Sequence, residues 1–178
     1  MECTACPLHI QRNIVVAGEG NGSSGLMIVG EAPGEVEDML GRPFVGPAGQ
    51  LLDKILAAAN LDRNSVYLTN VVKCRPPNNR KPTDEECDLC RVTLNNEILA
   101  MRPRVILCMG SVAANQIIHP SFKITKERGL WWPMSNGSFI TATYHPAYLL
   151  YLKEPQLTEK KREIWTDIQS ALARLNTQ

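Results

Sequence analysis

Residues 30–34 read GEAPG directly after the apolar run Leu26, Met27, Ile28 and Val29, and residues 41–52 continue as GRPFVGPAGQLL. A short buried strand ending in Gly-x-x-Pro-Gly makes a tight turn whose backbone can come close to a flat ligand. The ring of Phe44 just beyond can cover that ligand's face. Three further blocks carry reactive side chains: TNVVKCRPPNNRKP from Thr69, RPRVILCMG from Arg102 and TYHPAYLL from Thr143. They offer a carboxamide at Asn70, a thiol at Cys74 and an imidazole at His145. Acid concentrates beside the first turn at Glu35, Glu37 and Asp38, while Lys73, Arg75, Arg80 and Lys81 crowd a proline-rich loop. Of the six cysteines, Cys3 and Cys6 form one CxxC and Cys87 and Cys90 another. By spacing alone, CxxC…CxxC describes a zinc site. Cys108, inside an apolar run, reads as a small buried hydrophobe.

The elements that must position these groups follow from the apolar pattern. Runs at 26–29, 66–68, 105–109 and 139–142 have the continuous hydrophobicity of buried parallel strands. Helical spacing appears between them: Leu51, Leu52, Ile55 and Leu56 share one stripe of a helix over 50–59, with Asn60 as its stop. Thr83 and Glu86 form a capping-box pair that opens a helix running towards Met101. Ser111 is placed to cap a short helix through Ile118, and Ile164, Trp165, Ile168, Leu172 and Leu175 mark a packing helix from Thr158. Alternating strands and helices imply an α/β fold, a three-layer α/β/α domain with a central, mainly parallel four-stranded sheet. Its ligand crevice then lies outside the carboxyl ends of the strands, and all four special blocks follow such ends.

With 178 residues and 44% hydrophobic content the chain suits one domain with a real core. A formal net charge of +1 argues against a general nucleic-acid coat protein. No apolar stretch approaches the roughly 20 residues that span a bilayer, and MECTACPLHI lacks the pattern of a signal peptide. The expectation is a cytoplasmic protein without membrane contact. Cysteines in such a chain point to metal or redox chemistry rather than to disulfides.

Taken together and in order, GEAPG, GRPFVG, TNVVKCRPP and YHPAYLL resemble the family 4 uracil-DNA glycosylases, the iron–sulfur branch of the uracil-DNA glycosylase superfamily. The resemblance runs from Cys3 to about Leu152. It implies a single glycosylase-like domain over residues 1–178 with an N-terminal cluster-binding segment. The implied activity is to flip uracil out of single- or double-stranded DNA and hydrolyse its N-glycosidic bond. That leaves an abasic site for base excision repair, and the enzyme is expected to act as a monomer.

By the same resemblance Asn70 reads the uracil edge, Phe44 stacks on the base, and backbone groups of Glu31 and Ala32 complete the hydrogen bonds. His145 contacts a uracil carbonyl as charge develops there. The cationic sugar and attacking water favour a carboxylate on the opposite side, with Glu37 ranked first and Glu31 and Asp38 as further candidates. The alternative for Glu37 is a place near C5 of the base, where it helps exclude the thymine methyl. Ala32, third in the turn where many relatives elsewhere in the superfamily carry Asp or Asn, cannot activate water. Tyr148 and Leu149 belong to the segment that enters the duplex, and Arg75, Asn79 and Arg80 are expected phosphate contacts. The family pattern assigns a structural [4Fe–4S] cluster to Cys3, Cys6, Cys74 and Cys90, which competes with the zinc reading. Two other functions stay open at this point. One is a non-catalytic iron–sulfur module that binds uracil or DNA. The other is a DNA crosslinker, disfavoured because residues 124–132 (ITKERGLWW) contain neither a histidine nor an insertion.

Overall fold

A computed structural model describes residues 3–176 of the chain. In order, the regular elements are β1 (Leu26–Gly30), α1 (Glu35–Leu40), α2 (Pro47–Ala58), β2 (Tyr67–Asn70), α3 (Asp84–Met101) and β3 (Val105–Met109). They continue with α4 (Ser111–Ile117), α5 (Ile124–Glu127), β4 (Trp132–Pro133), β5 (Phe139–Thr143), α6 (Pro146–Leu149) and α7 (Gln156–Asn176). The sheet order is β2-β1-β3-β5-β4. β1, β2, β3 and β5 pair in parallel, and β4 runs antiparallel to β5. The sheet therefore has five strands, not four. The added strand is two residues long with a proline at the edge, too short to show any period in the sequence.

Alternate residues of each strand feed two cores. Met27, Val29, Ile106, Cys108, Ile140 and Ala142 pack with Leu94 and Ile98 of α3 and with Ala113 and Ala114 of α4. On the other face Leu26, Ile28, Leu68, Val105, Leu107 and Met109 meet Leu52 and Leu56 of α2 and Ile164, Ile168, Ala171 and Leu175 of α7. Both faces of the sheet are covered, which is why its central strands are apolar throughout. Among the described residues, no helix is long and apolar enough to cross a membrane.

Several boundaries shift for local reasons. β2 extends through the polar Thr69 and Asn70 because these pair in register with Val29 and Gly30. α2 starts at Pro47, whose fixed φ suits a first helical turn, and Asn60 just beyond its end takes a positive φ of 55°. At α4 the cap is Gly110, with φ 90°, rather than Ser111.

The box at α3 forms as expected: Glu86 N–H donates to Thr83 Oγ1 at 3.2 Å, and Thr83 N–H to Glu86 Oε2 at 2.8 Å. Thr83→Ala removes one half of this exchange and should cost about 1 kcal/mol of stability. In urea titration the midpoint should fall with an unchanged slope; an unchanged midpoint would contradict the cap.

Candidate active site

β1 and β2 finish level, with Gly30 paired to Asn70. A Cβ on Gly30 would stand 2.4 Å from Asn70 Oδ1 and 2.6 Å from Phe44 Cζ. Only a glycine lets carboxamide and ring meet above the strand end. Asn70 is buried, yet its carboxamide hydrogen-bonds no described residue and lines a cleft of about 520 Å³. Phe44, Glu37 and His145 line the same cleft. Glu31, Asn79 and Arg80 border an adjoining one of about 270 Å³, and Ala32, Gly34, Asn79, His145 and Ala147 are common to both.

Phe44 is held in a conformation that a bulky residue rarely adopts, with φ 52°. Three contacts fix it. Arg63 donates to the carbonyls of Phe44 (2.9 Å) and Pro43 (2.6 Å) and pairs with Asp53 at 2.6 Å. Gly49 brings α2 so close that a Cβ there would lie 2.0 Å from the Phe44 carbonyl carbon. Glu37 closes the other side, its carboxylate accepting from Gly34 (3.2 Å), Val45 (2.9 Å) and Gly46 (2.7 Å) backbone N–H groups. Both oxygens of Glu37 are thereby engaged in tying the GEAPG turn to the Phe44 loop. Glu37, the carboxylate ranked first as a water-activating base, lines the cleft with both oxygens held in this way and braces the two loops. Asp38, a further candidate carboxylate, is buried and accepts from Asn13.

His145 follows β5. Its Nδ1 accepts the Ala147 N–H at 3.1 Å, so a neutral ring carries its proton on Nε2. Burial pushes the imidazole pKa down to about 4, against the opposing pull of the Glu37 charge. The ring lies within 23° of parallel to Phe44, centroids 6.1 Å apart. Burial also raises the Glu31 carboxyl pKa, partly offset by Lys81. The arrangement offers a stacking face, an unpartnered amide and a neutral N–H donor around one opening.

The wedge expectation needs a correction at Leu149. That side chain is buried and packs into the α2/α7 core, whereas Leu150 and Tyr151 are 50% and 84% exposed and line the cleft. A four-residue helix shows too little period for sequence to tell these neighbours apart. Tyr148 is 43% exposed. Arg75 donates to Asn79 Oδ1 at 2.7 Å, and Arg80 is held by both oxygens of Glu86 at 2.7 and 2.8 Å. Asn79 and Arg80 border the clefts, and all three expected phosphate contacts have intramolecular partners already in place. Sequence reasoning also missed the buried ion pair of Lys73 and Glu97, 2.7 Å apart behind Asn70.

Cys3, Cys6, Cys74 and Cys90 line one cavity together with Arg12 and Lys73. Arg12 donates to Cys74 Sγ at 3.2 Å. Among the described residues no three cysteine, histidine or acidic side chains gather closely enough to hold a single metal ion. Cys87 is not part of this cavity. It is buried in the core, where burial pushes its thiol up to about 11. The spacing-only zinc set is therefore not the set that the fold brings together.

The family model of the Uracil DNA glycosylase superfamily matches residues 17–169, and the chain belongs to that superfamily. It is 44% identical to a type-4 uracil-DNA glycosylase of Thermotoga maritima over 96% of this chain and 88% of that protein. A type-4 enzyme of Pyrobaculum aerophilum is 50% identical over 83% of this chain and 79% of its own. A type-5 uracil-DNA glycosylase of Thermus thermophilus is 31% identical over 73% and 68% respectively.

A histidine kept neutral by burial binds fewer protons folded than unfolded between its two pKa values. Its contribution therefore lowers stability as pH falls from about 6.5 towards 4. Nitrogen NMR of His145 should show the Nε2–H tautomer at neutral pH and a midpoint near 4. A midpoint near the ordinary 6.5 would contradict this electrostatic account.

Proposed function

We infer that this protein is a monofunctional uracil-DNA glycosylase, which extrudes uracil from DNA, hydrolyses the N-glycosidic bond and leaves an abasic site for base excision repair. The observation that carries this reading is the convergence of the Asn70 amide, the Phe44 ring and the neutral His145 on one cleft. Asn70 accepts from uracil N3–H and donates to a neighbouring carbonyl. Cytosine presents an acceptor at N3 and an amino group beside it, which leaves buried groups unpaired at a cost of about 1–3 kcal/mol each. Phe44 stacks on the extruded base, and backbone groups of Glu31 and Ala32 complete its edge.

When the bond to C1′ breaks, its electron pair goes to the uracil ring and charge develops on a carbonyl. His145 Nε2–H stabilises that charge by a hydrogen bond, without transferring its proton. Water adds to the electron-poor C1′, and the proton it releases neutralises the departing base. Glu31, on the smaller cleft, is the carboxylate left free to face the sugar side, since Glu37 is committed to the loops. Tyr148, Leu150 and Tyr151 supply apolar surface to the gap in the duplex. Arg75, Asn79 and Arg80 exchange their internal partners for phosphates.

Cys3, Cys6, Cys74 and Cys90 hold a [4Fe–4S] cluster. A single zinc with bonds of about 2.3 Å would draw its four sulfurs much closer together than sulfurs arranged around a cavity. The donor set of four cysteines fits the cluster. Its part is structural: it crosslinks the N-terminal segment, the loop after β2 and α3, and a hydrolysis needs no electron from it. The whole chain acts as one domain and one copy, in the cytoplasm, on single- or double-stranded DNA.

A uracil-containing oligonucleotide incubated with the protein and then treated with alkali should be cut at uracil and nowhere else. His145→Ala and Asn70→Ala should each lower release about 10²–10³-fold with the fold intact. An intact strand with only a mobility shift would favour a binding module, and parental rates in both variants would show that the pocket is misassigned. Anaerobic preparation should give brown protein with about four iron and four sulfide per chain. A colourless, zinc-loaded and fully active protein would refute the cluster.

A further inference from the structure

Lys73 is buried, at 2% exposure, and among the described residues no other lysine is. Its ammonium has three acceptors for its three protons: Thr69 Oγ1 at 2.6 Å, the Asn70 backbone carbonyl at 2.5 Å and Glu97 Oε2 at 2.7 Å. Glu97 is itself fixed, accepting from Thr69 Oγ1 at 2.8 Å and from Gly18 N–H at 3.1 Å. The backbone of Lys73 is tied in as well. Lys73 lines the cavity of Cys3, Cys6, Cys74 and Cys90, and its carbonyl accepts from Val16 N–H at 2.8 Å. One residue thus joins the cysteine cavity to the strand end that presents Asn70.

A buried ion pair is weak ground for stability, because desolvation offsets the attraction. Geometry gives this one a purpose. Asn70 is the last residue of β2, where the ladder runs out and Val71 N–H donates to Gly30 O at 2.9 Å. Lys73 Nζ takes the next carbonyl, that of Asn70, and so sets the peptide plane from which the carboxamide projects. We propose that Lys73, backed by Glu97, is a positioning residue that aims the Asn70 carboxamide at the base edge and links the cysteine site to pyrimidine discrimination. This rests on the uracil-excising reading given above.

The test uses the cluster-loaded full chain as Lys73→Met and as Lys73→Met/Glu97→Gln, the second of which leaves no charge stranded. Circular dichroism, iron content, oligonucleotide kinetics and calorimetric affinity for free uracil are measured on each. Both variants should keep parental fold and iron, with kcat about 10²-fold lower, as expected when a recognition group is slightly misplaced. KM for the oligonucleotide should stay within about twofold, because phosphate contacts are untouched, and free-uracil affinity should fall about tenfold. Folded, iron-loaded variants with parental kcat and uracil affinity would overturn the proposal. So would variants that lose fold or iron in step with activity, since Lys73 would then serve the core alone. A parent protein that releases no uracil, by contrast, would refute the assigned function and leave the Lys73 geometry as it stands.

Discussion

The level finish of the parallel strands is the constraint on which the rest of the molecule depends. Gly30 pairs with Asn70 across β1 and β2, and Met109 with Thr143 across β3 and β5, so the chain leaves each strand at nearly the same height. A slip of one residue would turn Asn70 to the opposite face of the sheet and remove it from the cleft. Register is fixed by the two cores, which take alternate residues of the central strands β1 and β3 and would both be disrupted by a slip. The hydrophobic effect thereby sets the position of a polar reading head. Gly30 completes the arrangement, because any side chain there would occupy the space shared by Asn70 and Phe44.

Above that platform, charge is used in two different ways. Glu37 is ionic glue: three backbone N–H groups converge on its carboxylate and pin two loops that otherwise have no regular structure to hold them. His145 is kept neutral, its Nδ1 occupied by the Ala147 amide and its protonation opposed by burial. A neutral donor suits a reaction that places negative charge on the leaving base, since it needs no partner of its own before the bond begins to break. The one charge that acts against this neutrality is Glu37, which keeps the brace close to the ring without overcoming burial.

Much of this was legible in the sequence, for reasons that particular residues make plain. The strand Val105–Met109 is bounded by Arg-Pro before and glycine after, and the capping pair Thr83 and Glu86 states where α3 begins. The site motifs were legible because they sit at strand ends, where a three-layer fold must put its crevice. What failed was information carried by three-dimensional contact alone. Glu37 looked like a reactive carboxylate, since nothing local reveals that its amide partners arrive from eight and nine residues further on. Leu149 and Leu150 are indistinguishable by type, and only the packing of α6 on α2 and α7 buries the first. Cysteine spacing favoured Cys87, whereas the helical turn that carries Cys90 to the cavity directs Cys87 into the core. Lys73 gave no signal at all, because a lysine in a proline-rich loop is ordinarily a solvated charge.

The account stands on three groups enclosing one extruded pyrimidine. A crystal structure of the protein with free uracil tests this most directly. It should place the base flat on Phe44, with N3–H on Asn70 Oδ1 and one carbonyl accepting from His145 Nε2–H. Uracil bound elsewhere, or in this cleft without contact to both Asn70 and His145, would contradict it.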